Sequence, residues 1–146
     1  MGRGANQSRQ HRPRTTMIRI KRAYEPASRD DGVRVLIDRL WPRGVTKEAA
    51  RIDVWRKELA PSPDLRTWFD HDPVRYPRFR ERYRKELLGR RDELASLIID
   101  AERGPLTLIY AAKDSQHCNA AVLKELLEEI MQAGSLPERS GRTRVK

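Results

Sequence analysis

The sequence predicts a compact three-layer α/β domain with a small, mostly parallel sheet flanked by helices. Three observations predict it. Short apolar runs near 17–24, 33–41 and 106–112 alternate with stretches of helical periodicity, the pattern of parallel strands joined by crossovers. A length of 146 residues suits one domain of ordinary size. The net charge of +10 sits mostly at the two ends. Residues 1–16 hold Arg3, Arg9, Arg12 and Arg14 with no acid, and residues 134–146 hold Arg139, Arg142, Arg144 and Lys146 against Glu138. That leaves +3 for residues 17–133, a nearly balanced domain. Neither end has periodic apolar residues to offset its ordering entropy, so 1–16 and 134–146 are expected to be disordered basic tails around a single domain at 17–133.

In MIRIKRAY, residues 17–24, Ile18 and Ile20 alternate with Arg19 and Lys21, as in a strand. Pro26 and Gly32 punctuate the loop that follows. VRVLIDRLW, residues 33–41, opens on Val33, Val35, Leu36 and Ile37, the apolar run of a strand buried on both faces, and Pro42 and Gly44 end it. Thr46 is a fitting N-cap for a short helix through Lys47, Glu48, Ala49 and Ala50. Ser62 followed by Pro63 caps and opens a second helix, to about Phe69. Residues 73–103 read as two helices separated near Gly89. Tyr76, Phe79, Tyr83 and Leu87 make the inward stripe of the first, and Leu94, Leu97, Ile98 and Ala101 that of the second. Gly104 and Pro105 stop the run. LTLIYAA, residues 106–112, is too short for a helix and is the most apolar strand. After the loop KDSQHCN, a last helix turns Val122, Leu123, Leu126, Leu127, Ile130 and Met131 inward and stops at Gly134.

Composition excludes several classes. Hydrophobic residues make up 38% and charged residues 36%, with a mean hydropathy of −0.81. No run approaches the length of a membrane-spanning helix, so no membrane partner is expected. The basic N-terminal segment has no apolar core behind it, unlike a secretory signal. A single cysteine, Cys118, rules out an internal disulfide framework, and a reduced, cytoplasmic protein is expected. His71, Asp72, His117 and Cys118 include no pair of ligands at short helical spacing. No metal site and no cofactor are expected.

The segments VRVLIDRLWPRG, WRKELAPSPDLRTWFDHDP, FRERYRKEL and TLIYAAKDSQHCNAAVLKELL, in that order across about residues 17–130, resemble the YeaO-like family, domain of unknown function 488. The resemblance implies a bacterial domain and brings no established activity with it. The wider superfamily often carries a Cys-His-Arg triplet after its last core strand. Cys118 matches the cysteine, whereas Asn119 and Ala120 stand in place of the histidine and arginine, so that triplet's role does not transfer intact.

In parallel α/β folds ligands bind where loops gather at the carboxyl ends of the strands. Two segments qualify here, Asp38 to Gly44 and Lys113 to Asn119. An aspartate at a strand end can orient an arginine's fork toward a carboxylate or phosphate, which gives Asp38 a role through Arg39 and makes Arg43 a second anion ligand. Trp41 offers a stacking face; an internal salt bridge with Trp41 closing the core edge is the structural alternative. Lys113 can meet an anionic group, and Asp114 can transfer a proton or simply cap the helix. Asn119 can position a substrate or cap the helix. Cys118 precedes the final helix, where amides and the dipole lower a thiol's pKa, but no arginine or glycine follows to cradle an oxyanion. A partly buried structural thiol is the competing reading. In WFDHDP, His71 lies between Asp70 and Asp72, and an adjacent carboxylate supports acid–base work by the imidazole.

The expected catalytic groups are therefore Asp38, Asp114 and Cys118, and the expected binding groups Arg39, Trp41, Arg43, His71, Lys113 and Asn119. They suit a small enzyme or binding domain for an anionic metabolite or nucleotide. The alternative is a non-enzymatic module that binds nucleic acid or a regulatory partner through the basic tails and the face at 75–85. At helical spacing, however, the aromatics of RYPRFRERYRK belong to the core and its arginines to a solvated face.

Overall fold

A computed structural model describes residues 18–137. The tail expectations for 1–16 and for the end of the chain fall outside these residues. The domain contains β1 (Ile18–Arg22), β2 (Val33–Leu36), α1 (Lys47–Ala50), β3 (Val54–Trp55), α2 (Pro63–Phe69), α3 (Tyr76–Leu88), α4 (Arg91–Arg103), β4 (Leu106–Tyr110) and α5 (Asn119–Ala133), with single 3₁₀ turns before β2, α2 and α3.

The four strands form one sheet in the order β1-β4-β2-β3, and every pair is parallel. Leu108 of β4 registers with Ile20 of β1 and Val35 of β2. Alternation along the strands sorts their side chains. Ile18, Ile20, Val33, Val35, Leu106, Leu108 and Tyr110 face the main core, where Leu65 and Phe69 of the short α2 and Phe79, Tyr83, Leu94, Leu97, Leu123, Leu126 and Leu127 of the long helices cover them. The opposite face has a thinner cover, with Ala23, Leu36 and Ile109 under Trp41, Ile52 and Trp55. Nearer the amino ends of the strands that face is polar: Asp31, Arg34 and Thr107 are all buried there.

The α/β class and the parallel sheet agree with the expectation, with differences at the margins. The second strand leaves the sheet after Leu36, and the last one ends at Tyr110. β3 was not legible. It has two residues, and it exists because Asp53 and Arg56 donate their amides to the carbonyls of Arg34 and Leu36. No local periodicity announces so short an edge strand.

Local chemistry placed the helix ends where expected. Thr46 accepts the Ala49 amide, and Ser62 accepts the Leu65 amide with Pro63 behind it. Gly134 closes α5 in the left-handed conformation, at φ +88°. Phe79, Tyr83 and Leu87 of α3 are buried, and the Tyr83 hydroxyl donates to the Leu59 carbonyl. On the outer side Arg80 forks onto Glu125 of α5 at 2.8 and 2.7 Å, and Arg84 meets Glu129. Much of the basic face at 75–85 is thus engaged within the domain. Residues 134–137, expected to begin a tail, continue the domain: Leu136 packs on the main core and Pro137 accepts a hydrogen bond from Arg91. Gly32, at φ +65°, precedes β2 where a Cβ would fall 2.1 Å from the Pro105 carbonyl oxygen, so only glycine lets the two strands start side by side. Among the described residues no helix is long and apolar enough to cross a membrane.

Candidate functional site

Because β2 and β4 are parallel neighbours, the loops that leave them emerge on the same edge of the sheet. Between them, α2 and the start of α5, lies a cleft of about 350 Å³ whose lining includes Asp38, Arg39, Trp41, Arg43, Arg66, His71, His117, Cys118 and Asn119.

Asp38 holds the two loops together. Its Oδ2 accepts the Ala111 amide at 2.9 Å and its Oδ1 accepts Asn119 Nδ2 at 3.0 Å. Its backbone carbonyl accepts the Trp55 indole N–H at 2.7 Å. Burial pushes its carboxyl above the ordinary value, against the hydrogen bonds from Asn119 and Ala111 and the charges of Arg66 and His71. One expectation is corrected here. Asp38 does not orient Arg39; Arg39 donates instead to the Pro61 carbonyl at 3.1 Å. The strand-end carboxylate meets the nearby amide donors just after β4 and at the start of α5, while the exposed side chain of Arg39 turns to Pro61, which lines the same cleft.

Trp41 is fixed in place, its indole N–H on the Val45 carbonyl at 2.6 Å and its ring edge-on to Trp55 at 5.5 Å. Arg43 is exposed, and its carbonyl accepts from the Tyr24 hydroxyl at 3.1 Å. His71 reaches the cleft through an unusual backbone. Asp70 and His71 are consecutive left-handed residues, at φ +48° and +54°, and the second places the imidazole 6.2 Å from the Phe69 ring. Such conformations in non-glycine residues cost energy and collect at binding sites.

Lys113 and Asp114, expected in the composite site, are exposed and stand outside the lining. Asp114 is occupied by its own turn. It accepts the amides of Gln116 and His117, and its carboxylate lies 2.7 Å from His117 Nδ1, the contact that does most to hold its pKa below the ordinary value. Neither expected role describes Asp114: it closes a turn ahead of α5, whose N-cap residue is Cys118 and has no side-chain cap, so Asp114 does not cap that helix. Its effect is to present His117 to the cleft, with Tyr76 edge-on at 5.0 Å.

Cys118 is 2% exposed, with its thiol 3.6 Å from the Ser115 carbonyl. Burial pushes the thiol up, and the amides of Ala120 and Ala121 only partly oppose it. Such a thiol is a poor nucleophile at neutral pH. Asn119 is the first residue of α5 and ties Asp38 and the Ile37 carbonyl to it. Tyr24, Pro61, Arg66, Phe79 and His117 also line the cleft. Arg66 carried no signal, since one arginine among many on a short helix looks like solvated surface. His117 entered the sequence reading only as a conceivable metal ligand, and among the described residues no three His, Cys, Asp or Glu side chains gather to hold a metal ion.

Comparison with known proteins places the chain. Residues 17–142 match the family model described as the inactive DUF488-N3 subclade. The uncharacterized protein YeaO of Escherichia coli (strain K12) is 43% identical over 113 residues, 77% of this chain and 98% of that protein. The uncharacterized protein Rv3073c of Mycobacterium tuberculosis (strain ATCC 25618 / H37Rv) is 41% identical over 114 residues, 78% of this chain and 96% of that protein. No solved structure matches. Family model and relatives span nearly the whole described domain, cleft included, and the chain belongs to the YeaO-like DUF488 family, in its inactive DUF488-N3 subclade.

Proposed function

We propose that this domain binds a small anionic ligand, a phosphate or carboxylate compound, in the cleft at the carboxyl ends of β2 and β4, and that it does so without a covalent step. One observation carries the reading: Arg39, Arg43 and Arg66 all line a cleft whose single carboxylate, Asp38, is already bonded to Ala111 and Asn119. Guanidinium groups hold oxyanions through paired, charge-assisted hydrogen bonds, and His71 and His117 add further polar contacts. The absence of chemistry is supported by the buried, upshifted thiol of Cys118, by Asn119 and Ala120 after it, and by the word inactive in the subclade's description.

The nucleic-acid reading has less behind it. Arg80 and Arg84 already face Glu125 and Glu129, and the basic ends lie outside the described residues. Calorimetric titration with inorganic phosphate and phenyl phosphate at low salt tests the proposal. Binding that weakens about tenfold in each of Arg43→Ala and Arg66→Ala is expected. Dissociation constants weaker than about 1 mM for both probes would overturn it.

A further inference from the structure

Asp38 does not fit a pocket meant for an anion alone. A carboxylate near an oxyanion repels it, most strongly where water is scarce. An uncharged part of the ligand must therefore cover it. An ionised carboxylate has about four lone-pair positions, and Asp38 uses one on the Ala111 amide and one on Asn119. Asn119 in turn gives its Nδ2 hydrogens to Asp38 and, at 3.4 Å, to the Ile37 carbonyl, which leaves its own carbonyl oxygen as the remaining polar atom. The half-buried floor of the cleft thus presents acceptors. The exposed arginines at its rim present only donors. Trp41, Pro42 and Phe69 add flat, apolar surface to the same lining. A ligand matching this lining carries an oxyanion, a flat body and an N–H donor. The volume, about 350 Å³, lies in the range of small-ligand clefts.

We infer that the cleft takes a nucleoside monophosphate whose base carries an exocyclic amino group, with the phosphate against Arg39, Arg43 and Arg66 and the amino group donating to Asp38 beside Asn119. This rests on the anion-binding reading above and adds to it the group that meets Asp38. The amino group covers Asp38 with a hydrogen bond. A base with a carbonyl at that position sets oxygen against oxygen and leaves a desolvated acceptor unmet.

Cytidine and uridine 5′-monophosphates share ribose and phosphate and differ at that position, amino against carbonyl. Titration of the full chain with each, and with ribose 5-phosphate, is the test. Cytidine monophosphate is expected to bind roughly tenfold or more tightly than uridine monophosphate, with ribose 5-phosphate weakest. In Asp38→Asn, which exchanges one acceptor oxygen for a donor and removes the negative charge, the cytidine preference is expected to vanish or reverse while ribose 5-phosphate binds at least as tightly as before. If that variant fails to fold, the wild-type ratio decides by itself. Equal binding of the two nucleotides, or a preference untouched in folded Asp38→Asn, overturns the inference and leaves the arginine cleft standing. Failure of all three ligands, with inorganic phosphate and phenyl phosphate also failing, removes both.

Discussion

Asp31 and Asp38 flank the same strand, β2, and their surroundings push their carboxyls in opposite directions. Asp31 lies on the thinly covered face. Its carboxylate meets Arg34 Nη1 at 2.5 Å, Lys21 Nζ at 3.1 Å and the Ser28 amide at 3.0 Å, and its backbone carbonyl accepts the Thr107 hydroxyl. Burial alone raises its pKa, but the Ser28 amide and the two cations outweigh burial and hold it below the ordinary value. Asp38, at the carboxyl end, has only neutral hydrogen-bond donors, and burial wins. The difference separates framework from site. A carboxylate matched by two cations is fully used in joining β1, β2 and β4. One held by an amide and an asparagine keeps both its place and spare capacity to accept, which suits a binding cleft.

The largest expected effect tests the framework side. Asp31→Ala leaves the Arg34 guanidinium buried without its counter-charge and is expected to cost about 3–5 kcal/mol in urea unfolding at neutral pH. Because the folded pKa of Asp31 is depressed, its contribution is present above the ordinary carboxylate value and is lost as pH falls through the lowered one. The cost of the variant should shrink accordingly in acid. A loss under about 1 kcal/mol at neutral pH would break the comparison.

Asp38→Asn should cost less, about 1–2 kcal/mol, because asparagine retains one acceptor for the Ala111 amide. Its pH dependence should run the other way. The folded pKa of Asp38 is raised, so wild-type stability declines as pH climbs from the ordinary carboxylate value through the raised one. The gap between wild type and variant is therefore widest in acid and narrows toward neutrality. Parallel curves for the Asp31 and Asp38 variants would show that the two carboxylates do not differ as described.

Cys118→Ser asks which side of the comparison the thiol belongs to. A hydroxyl in its place can donate to the Ser115 carbonyl, so a loss of about 1 kcal/mol and unchanged phosphate binding are expected. Alkylation of the wild-type thiol should stay slow until alkaline pH, and rapid reaction at neutral pH would count against the upshift that burial produces. The smallest effect on stability belongs to Arg43→Ala. Its side chain is exposed, so the unfolding midpoint should move by no more than about 0.5 kcal/mol equivalent even as anion binding weakens. A larger loss of stability would move Arg43 from the site to the framework.

Local physics made much of this molecule legible without coordinates. The apolar runs of β1, β2 and β4, the caps at Thr46 and Ser62, the break near Gly89 and the stop at Gly134 each depend on neighbours a few residues away, and each lies where periodicity and cap chemistry put it. The parallel sheet followed from the alternation of strands and helices, and with it the edge on which Asp38, Arg43 and Asn119 meet. Partnership was not legible. That Asp38 binds Ala111 and Asn119 rather than Arg39, that Asp114 serves its own turn while His117 and Arg66 enter the cleft, that β3 pairs at all, and that Leu136 stays on the core were decided by tertiary structure. Residue type and spacing settle what a side chain can bond, whereas distance in the folded chain settles which of many eligible partners it finds. In a sequence with 31 basic and 21 acidic residues, that choice is made by the packing of the strands and helices that carry them.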